Sequence, residues 1–161
     1  MTTAKIKYLC FDWGDTLMAD HPQYTGAMHA WPQITPMDGV LPLMPELSKS
    51  YKCVVLSNAA ESDAQLMKKA FERAGIDQHF HCFYTSKELG AAKPDLMFFR
   101  QALQLLGAKA CEAIMIGNDY RKDIVPAKEV GMHTVLISRT PGNYPCADYA
   151  IENFYALSFL F

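Results

Sequence analysis

Five short apolar runs punctuate this chain, and amphipathic helical patterns separate the later ones. That alternation constrains the fold more than any other feature. The runs cover residues 6–11, 53–56, 81–84, 113–116 and 133–137. They lack the polar alternation of a half-solvated strand, which is expected when both faces of a sheet are covered. In 63–75, Leu66, Met67, Ala70, Phe71 and Ala74 share one face at helical spacing, and Ser62 to Gln65 has capping-box form. In 95–106, Leu96, Phe99, Leu103 and Leu106 make a second stripe behind Asp95 as N-cap. A third helix is predicted from about Lys122 to Val130, ending at Gly131, with Pro126 in its first turn. Strands alternating with helices specify an α/β fold with a doubly wound parallel sheet. At 161 residues, half of them apolar, residues 1–161 make a single domain.

One stretch breaks the rhythm. Residues 18–40 are rich in Pro, Met and aromatics and are expected to form an irregular loop or one short helix over the strand ends. The helix after it is predicted over 43–50.

In a doubly wound sheet, ligands bind outside the carboxyl ends of the strands. The residues just after each run are therefore the informative ones. Asp12 and Asp15–Thr16 follow the first, Ser57–Asn58 the second, and Gly117, Asn118, Asp119 and Asp123 the fourth. Lys93 sits in "GAAKP" before the second helix. Carboxylates gathered at one rim require a cation. Oxygen donors without a His or Cys cluster favour Mg²⁺. Carboxylates, Mg²⁺ and a lysine suit phosphoryl transfer, where positioning and charge neutralisation dominate.

Other classes find little support. The net charge is -2, with Lys and Arg scattered, so neither nucleic acid nor an acidic membrane is indicated. No apolar run approaches the ~20 residues of a membrane span. The five cysteines form no C-x-x-C pair and the N-terminus does not read as a secretion signal, which points to reduced thiols in a cytoplasm.

"CFDWGDTL", "VVLSNA", "GAAKP" and "MIGNDYRKDIVPAKEVGM", in this order, resemble the four motifs of the haloacid-dehalogenase-like (HAD) hydrolase superfamily. The likeness runs from about residue 6 to 151. It implies a Rossmann-like, HAD-type domain and a Mg²⁺-dependent phosphohydrolase acting on a phosphorylated substrate. Asp12 would be the nucleophile and form a phosphoaspartyl intermediate. Ser57 would hydrogen-bond a phosphoryl oxygen. Lys93 would neutralise the phosphoryl group and keep Asp12 ionised. Asp12, the Gly14 carbonyl and an acidic residue among 118–123 would hold the metal, leaving Asn118, Asp119 and Asp123 as candidates. Trp13 is expected part-exposed at the rim, lining the substrate with Gly14 and Asn58.

Two positions depart from the pattern. The family's phosphatases usually carry a second Asp, a general acid and base, two residues after the nucleophile; here that residue is Gly14. Asp15 stands next to it as a substitute. In the last motif the usual first acid falls on Asn118. These changes leave open a catalytically impaired member kept for binding or regulation. A dehalogenase or phosphonatase type of hydrolase also stays open. An insert over 18–40 is too short for an independent lid domain. The site is therefore expected to be open, suiting a bulky or macromolecular phosphorylated substrate or a partner subunit in an oligomer.

Overall fold

The computed structural model describes residues 4–59 and 61–161. Six strands form one sheet: β1 (Tyr8–Phe11), β2 (Lys52–Ser57), β3 (Cys82–Thr85), β4 (Ala113–Gly117), β5 (His133–Ile137) and β6 (Tyr149–Ile151). Their spatial order is β3-β2-β1-β4-β5-β6, and every pairing is parallel. The helices are α1 (Val40–Ser50), α2 (Ala64–Ala74), α3 (Ser86–Leu89), α4 (Leu96–Leu106) and α5 (Val125–Val130). The order reverses at β1, so the first crossover runs to β2 on one side and the later chain returns to β4 on the other. That places a switch point at the carboxyl end of β1.

Alternate residues of β1 feed two separate cores, as the two-residue period of a strand requires. Leu9 and Phe11 pack with Met44, Phe71 and Phe154. Tyr8 and Cys10 pack on the other face with Phe98, Phe99 and Ala127. Burial pushes the Cys10 thiol well above the usual range and the Cys53 thiol up to about 12, so both are inert core groups. All five cysteines are free.

Most predicted elements appear within a residue or two of their expected ends. Asp63 caps α2 by accepting from Leu66 N, so the expected Ser62–Gln65 box is replaced by a single aspartate cap. Asp95 caps α4 as read, and α2, α4 and α5 each end on a left-handed glycine. The predicted helix from Lys122 is divided: a wide π turn (Tyr120–Ile124) precedes α5, which holds Pro126 in its first turn. α1 begins at Val40, three residues earlier than expected, because Pro42 falls in the first turn, where no partner for an N–H is needed. β6 was not expected; it is short, mostly exposed and lies at the sheet edge.

The 18–40 stretch is not loose, and Thr35, Pro36 and Met37 line a cavity with Ile137 at the end of β5 and Glu152 just past β6. It holds one 3-10 turn, Met28–Ala30, and buries Met28 and Trp31 in the core. Arg73 Nη1 of α2 donates to the carbonyls of His29 and Trp31, both at 2.7 Å. The segment is stapled to the flank of α2. The α3 turn is tied to α2 in a similar way. Glu88 accepts from Ala64 N at 2.9 Å and Thr85 N at 2.8 Å, and from the Thr85 hydroxyl. No helix among the described residues is long and apolar enough to cross a membrane.

Candidate active site

The chain leaves β1 at Phe11, and the next two side chains part company. Asp12 N donates to the Ile116 carbonyl at 2.9 Å, which holds residue 12 between β1 and β4. Its carboxylate faces a hollow of about 210 Å³ at the carboxyl end of the sheet. Ser57, Lys93, Asn118 and Asp119 line the same hollow. Trp13 points the other way. It is 4% exposed and packs against Phe71, its Nε1 donating to Met18 Sδ at 3.2 Å. The expectation that Trp13 covers a substrate at the rim is therefore corrected: extended backbone sends consecutive side chains to opposite faces, and Trp13 follows Phe11 into the core.

Lys93 is the hub. Its Nζ donates to Asp12 Oδ1 at 2.7 Å, to Asp123 Oδ1 at 2.7 Å and to the Leu56 carbonyl at 3.1 Å. The side chains of Lys93 and Asp123 are 3% and 1% exposed. Burial by itself would lower the Lys93 pKa, but Asp12 and then Asp123 outweigh it and the net direction is up. Lys93 is thus a fixed positive charge. Burial pushes the Asp123 carboxyl up to about 6, against the pull of Lys93. Removing one partner from such a buried cluster typically costs about 3–5 kcal/mol, because the remaining charges lose their compensation.

Asn58 positions this lysine. Its Nδ2 donates to the Lys93 carbonyl at 3.0 Å and its Oδ1 accepts from Lys93 N at 2.7 Å. Asn58 also lines the hollow, while one N–H and one lone pair of its amide are engaged by the Lys93 backbone. Ser57 Oγ accepts from Ala59 N at 3.3 Å, which leaves its proton directed by whatever enters the hollow.

Three oxygens converge beside Asp12. The Asn118 amide lies 3.1 Å from Asp12 Oδ2, 3.3 Å from the Gly14 carbonyl and 3.2 Å from Thr16 Oγ1. With its nitrogen turned inward, the amide donates into this group. With its oxygen turned inward, it accepts from the Thr16 hydroxyl at 3.2 Å and faces the Asp12 and Gly14 oxygens, an arrangement a cation would satisfy. A carboxylate, a carbonyl and an amide oxygen form a hard donor set that fits Mg²⁺. No group of three or more His, Cys, Asp or Glu side chains suited to a metal occurs among the described residues, so a site here rests on this mixed set.

Asp119 and Asp123 also line the hollow, and both are held by local hydrogen bonds. Asp119 Oδ1 accepts from Arg121 N at 3.0 Å and Lys122 N at 2.9 Å, capping the π turn. Asp123 Oδ2 accepts from Asp119 N at 3.1 Å, so both Asp123 oxygens are engaged by protein donors and neither is free for a metal. Asp15 turns away. It adopts φ 57°, its Oδ1 accepts from Asp20 N at 2.8 Å, and it lines a neighbouring cavity instead of the hollow. Short polar Asp tolerates this left-handed conformation, which explains its place in the turn. The substitute acid expected at Asp15 is thus not delivered to Asp12.

Sequence reasoning did not assign two residues that the structure brings in. Thr16 is buried and its hydroxyl lies 3.5 Å from Asp12 Oδ2; its position four residues after Asp12 in a tight turn was the available signal. Lys122 lines the mouth of the hollow, with only its place one residue before Asp123 to indicate it.

The family model for haloacid dehalogenase-like hydrolases matches residues 7–137. The chain is 48% identical over 65 residues to a glyceraldehyde 3-phosphate phosphatase of Methanocaldococcus jannaschii, which is 40% of this chain and 28% of that protein. The aligned stretches cover 28, 39 and 37% of the lengths of the first three curated relatives. Among solved structures, an uncharacterized protein from Listeria monocytogenes serotype 4b superposes with a TM-score of 0.77 at 25% identity, over 91% of this chain and 90% of that one. A HAD phosphatase from Thermococcus onnurineus gives 0.68 at 26% identity, over 79% of this chain and 58% of that one.

Proposed function

The chain belongs to the haloacid dehalogenase-like hydrolase family, and on that premise we propose that it is a Mg²⁺-dependent phosphohydrolase in which Asp12 takes the phosphoryl group. The observation that carries this reading is the Asp12 carboxylate held 2.7 Å from the buried Lys93 ammonium, facing a hollow shared with Ser57 and Asn118. The Lys93 ammonium, 2.7 Å away, balances the charge of the Asp12 carboxylate, which serves as the nucleophile. Asp123 and Asn58 hold Lys93 in place. Asp12 attacks phosphorus, the ester oxygen leaves, and water hydrolyses the aspartyl phosphate. Ser57 donates its hydroxyl proton to a phosphoryl oxygen. Mg²⁺, held by Asp12 Oδ2, the Gly14 carbonyl and the Asn118 amide oxygen, supplies charge neutralisation for the phosphoryl oxygens when bound.

The family resemblance puts a general acid where this chain has Gly14, and Asp15 points away. The leaving group therefore departs with little protonation, and esters of acidic alcohols are the better substrates. Residues 18–40 form a short cap-like insert held on α2, within one domain over 1–161. No residue of that segment lines the hollow, which leaves room for a leaving group larger than a small sugar. The five free thiols fit a reducing cytoplasm.

The test is a series of aryl to alkyl phosphates with Mg²⁺. A steep dependence on leaving-group pKa is expected in the wild type. A Cβ added at Gly14 meets only Asp20 Cβ, at 3.9 Å, so Gly14→Asp is sterically free to supply the acid. It is expected to raise alkyl phosphate turnover by about 10²-fold or more. A flat series in the wild type would contradict this reading. A second reading, binding without turnover, is favoured by the missing acid; bound Mg²⁺ with no hydrolysis of any ester would establish it.

A further inference from the structure

Lys93 has no donor left for a substrate. An ammonium has three N–H groups, and these meet Asp12, Asp123 and the Leu56 carbonyl. Its charge is matched by two carboxylates, and Asp119 adds another at the rim. Mg²⁺ would balance the phosphoryl oxygens, so a second anionic group on a substrate needs a cation other than Lys93.

Lys122 stands at the mouth. It lines the same hollow as Asp12, Ser57 and Lys93 and is exposed. Among the described residues no carboxylate lies within ion-pair distance of its ammonium. Its backbone is fixed on both sides. Lys122 N donates to Asp119 Oδ1 at 2.9 Å, and Asp123, the next residue, is locked on Lys93. The wide turn sends Asp123 inward and leaves Lys122 at the rim, on a flexible four-carbon stem.

A neighbouring cavity carries the reverse sign. Beyond Thr16 opens a cavity of about 430 Å³ lined by Asp15, Asp38 and Glu152, with Arg139 as its one cation. A second anion on a substrate is repelled from that side and drawn toward Lys122.

We infer that Lys122 is a specificity-determining residue that selects phosphate esters whose leaving group carries a second anionic group, a carboxylate or another phosphate. This rests on the phosphohydrolase reading of the hollow. The partly exposed contact is worth about a three- to tenfold preference.

Two pairs of probes test it. Turnover compares 3-phosphoglycerate with glycerol 3-phosphate, which differ by a carboxylate against a hydroxymethyl group. Calorimetric binding compares phosphonoacetate with methylphosphonate and needs no catalysis. The wild type is expected to favour the doubly anionic member of each pair by about three- to tenfold, less so as salt is raised. Lys122→Met is expected to bring both ratios to near one, and Lys122→Arg to retain most of the preference. Unfolding curves matching the wild type show that the variants keep their fold. Ratios unchanged in Lys122→Met overturn the inference. Absence of turnover of these esters and of an aryl phosphate alike overturns the phosphohydrolase reading instead, and the phosphonate pair then still decides the role of Lys122.

Discussion

Gly117 closes β4 with a backbone conformation open to any residue, so only its surroundings exclude a side chain there. A Cβ at that position would lie 2.3 Å from Asp123 Oδ2, 2.6 Å from its Cγ and 2.7 Å from its Cβ. The carboxylate cannot slide aside. Oδ1 is held by Lys93 at 2.7 Å and Oδ2 by Asp119 N at 3.1 Å, while Asp123 N donates to the Asp119 carbonyl at 2.8 Å. Gly117→Ala must either wedge the strand end, at about 1–3 kcal/mol, or drive Asp123 off Lys93, at about 3–5 kcal/mol for a broken buried pair. A loss of roughly 3 kcal/mol at pH 7 is expected, where the two estimates meet. For a chain of this size that is a fall in Tm of about 6–12 °C. Urea denaturation followed by circular dichroism measures it. The decisive control is Asp123→Gly, which removes every obstructing atom, the Cβ included. In that background Gly117→Ala is expected to cost less than about 1 kcal/mol, a coupling of about 2 kcal/mol or more. Equal costs in the two backgrounds, or a Gly117→Ala protein within about 0.5 kcal/mol of the wild type, would refute the packing argument.

Asn118→Asp adds a carboxylate beside Asp12 Oδ2 and the Gly14 carbonyl; it is expected to tighten Mg²⁺ binding by about tenfold and to lower stability without the metal, read by calorimetry and thermal unfolding with and without chelator. Arg73→Met releases two carbonyls of the 18–40 segment and is expected to cost about 1–3 kcal/mol. Amide exchange should quicken in that segment while kcat/KM for an aryl phosphate holds; a large change in kcat/KM would show the segment to be a working lid. Burial alone would raise the Glu88 pKa, but the Thr85 hydroxyl and the Ala64 and Thr85 amides hold it below the usual carboxylate value. A depressed folded pKa contributes stability that is present above the unfolded pKa and is lost as pH falls through the folded one. Glu88→Gln should therefore destabilise at pH 7 and converge with the wild type in acid; a gap that persists at low pH would assign the effect to packing.

Much of the site was legible because strand ends are marked in sequence. Apolar runs stop at Phe11, Ser57 and Gly117, and the polar residues that follow do meet at one rim. What escaped depends on side-chain direction or on partners far along the chain. Trp13 is adjacent to Asp12 yet lies in the opposite core, a consequence of strand alternation carried one step past β1. Asp15 was next to the missing acid in sequence, but a left-handed turn points it at Asp20. The placement of residues 18–40 hangs on Arg73, more than 40 residues away. The grip of Asn58 on both backbone groups of Lys93 depends on a partner 35 residues along the chain. β6 has no apolar run to announce it, because an edge strand of three residues buries little.

The covalent step is the point on which the account stands, and chemical trapping reaches it directly. An aryl phosphate turned over with Mg²⁺, quenched in acid and reduced with borohydride, converts a phosphorylated aspartate to homoserine, which peptide mass spectrometry locates. The account predicts homoserine at residue 12 alone, and none in Asp12→Asn. Turnover without modification at residue 12, or modification at Asp15, Asp119 or Asp123 instead, would contradict it.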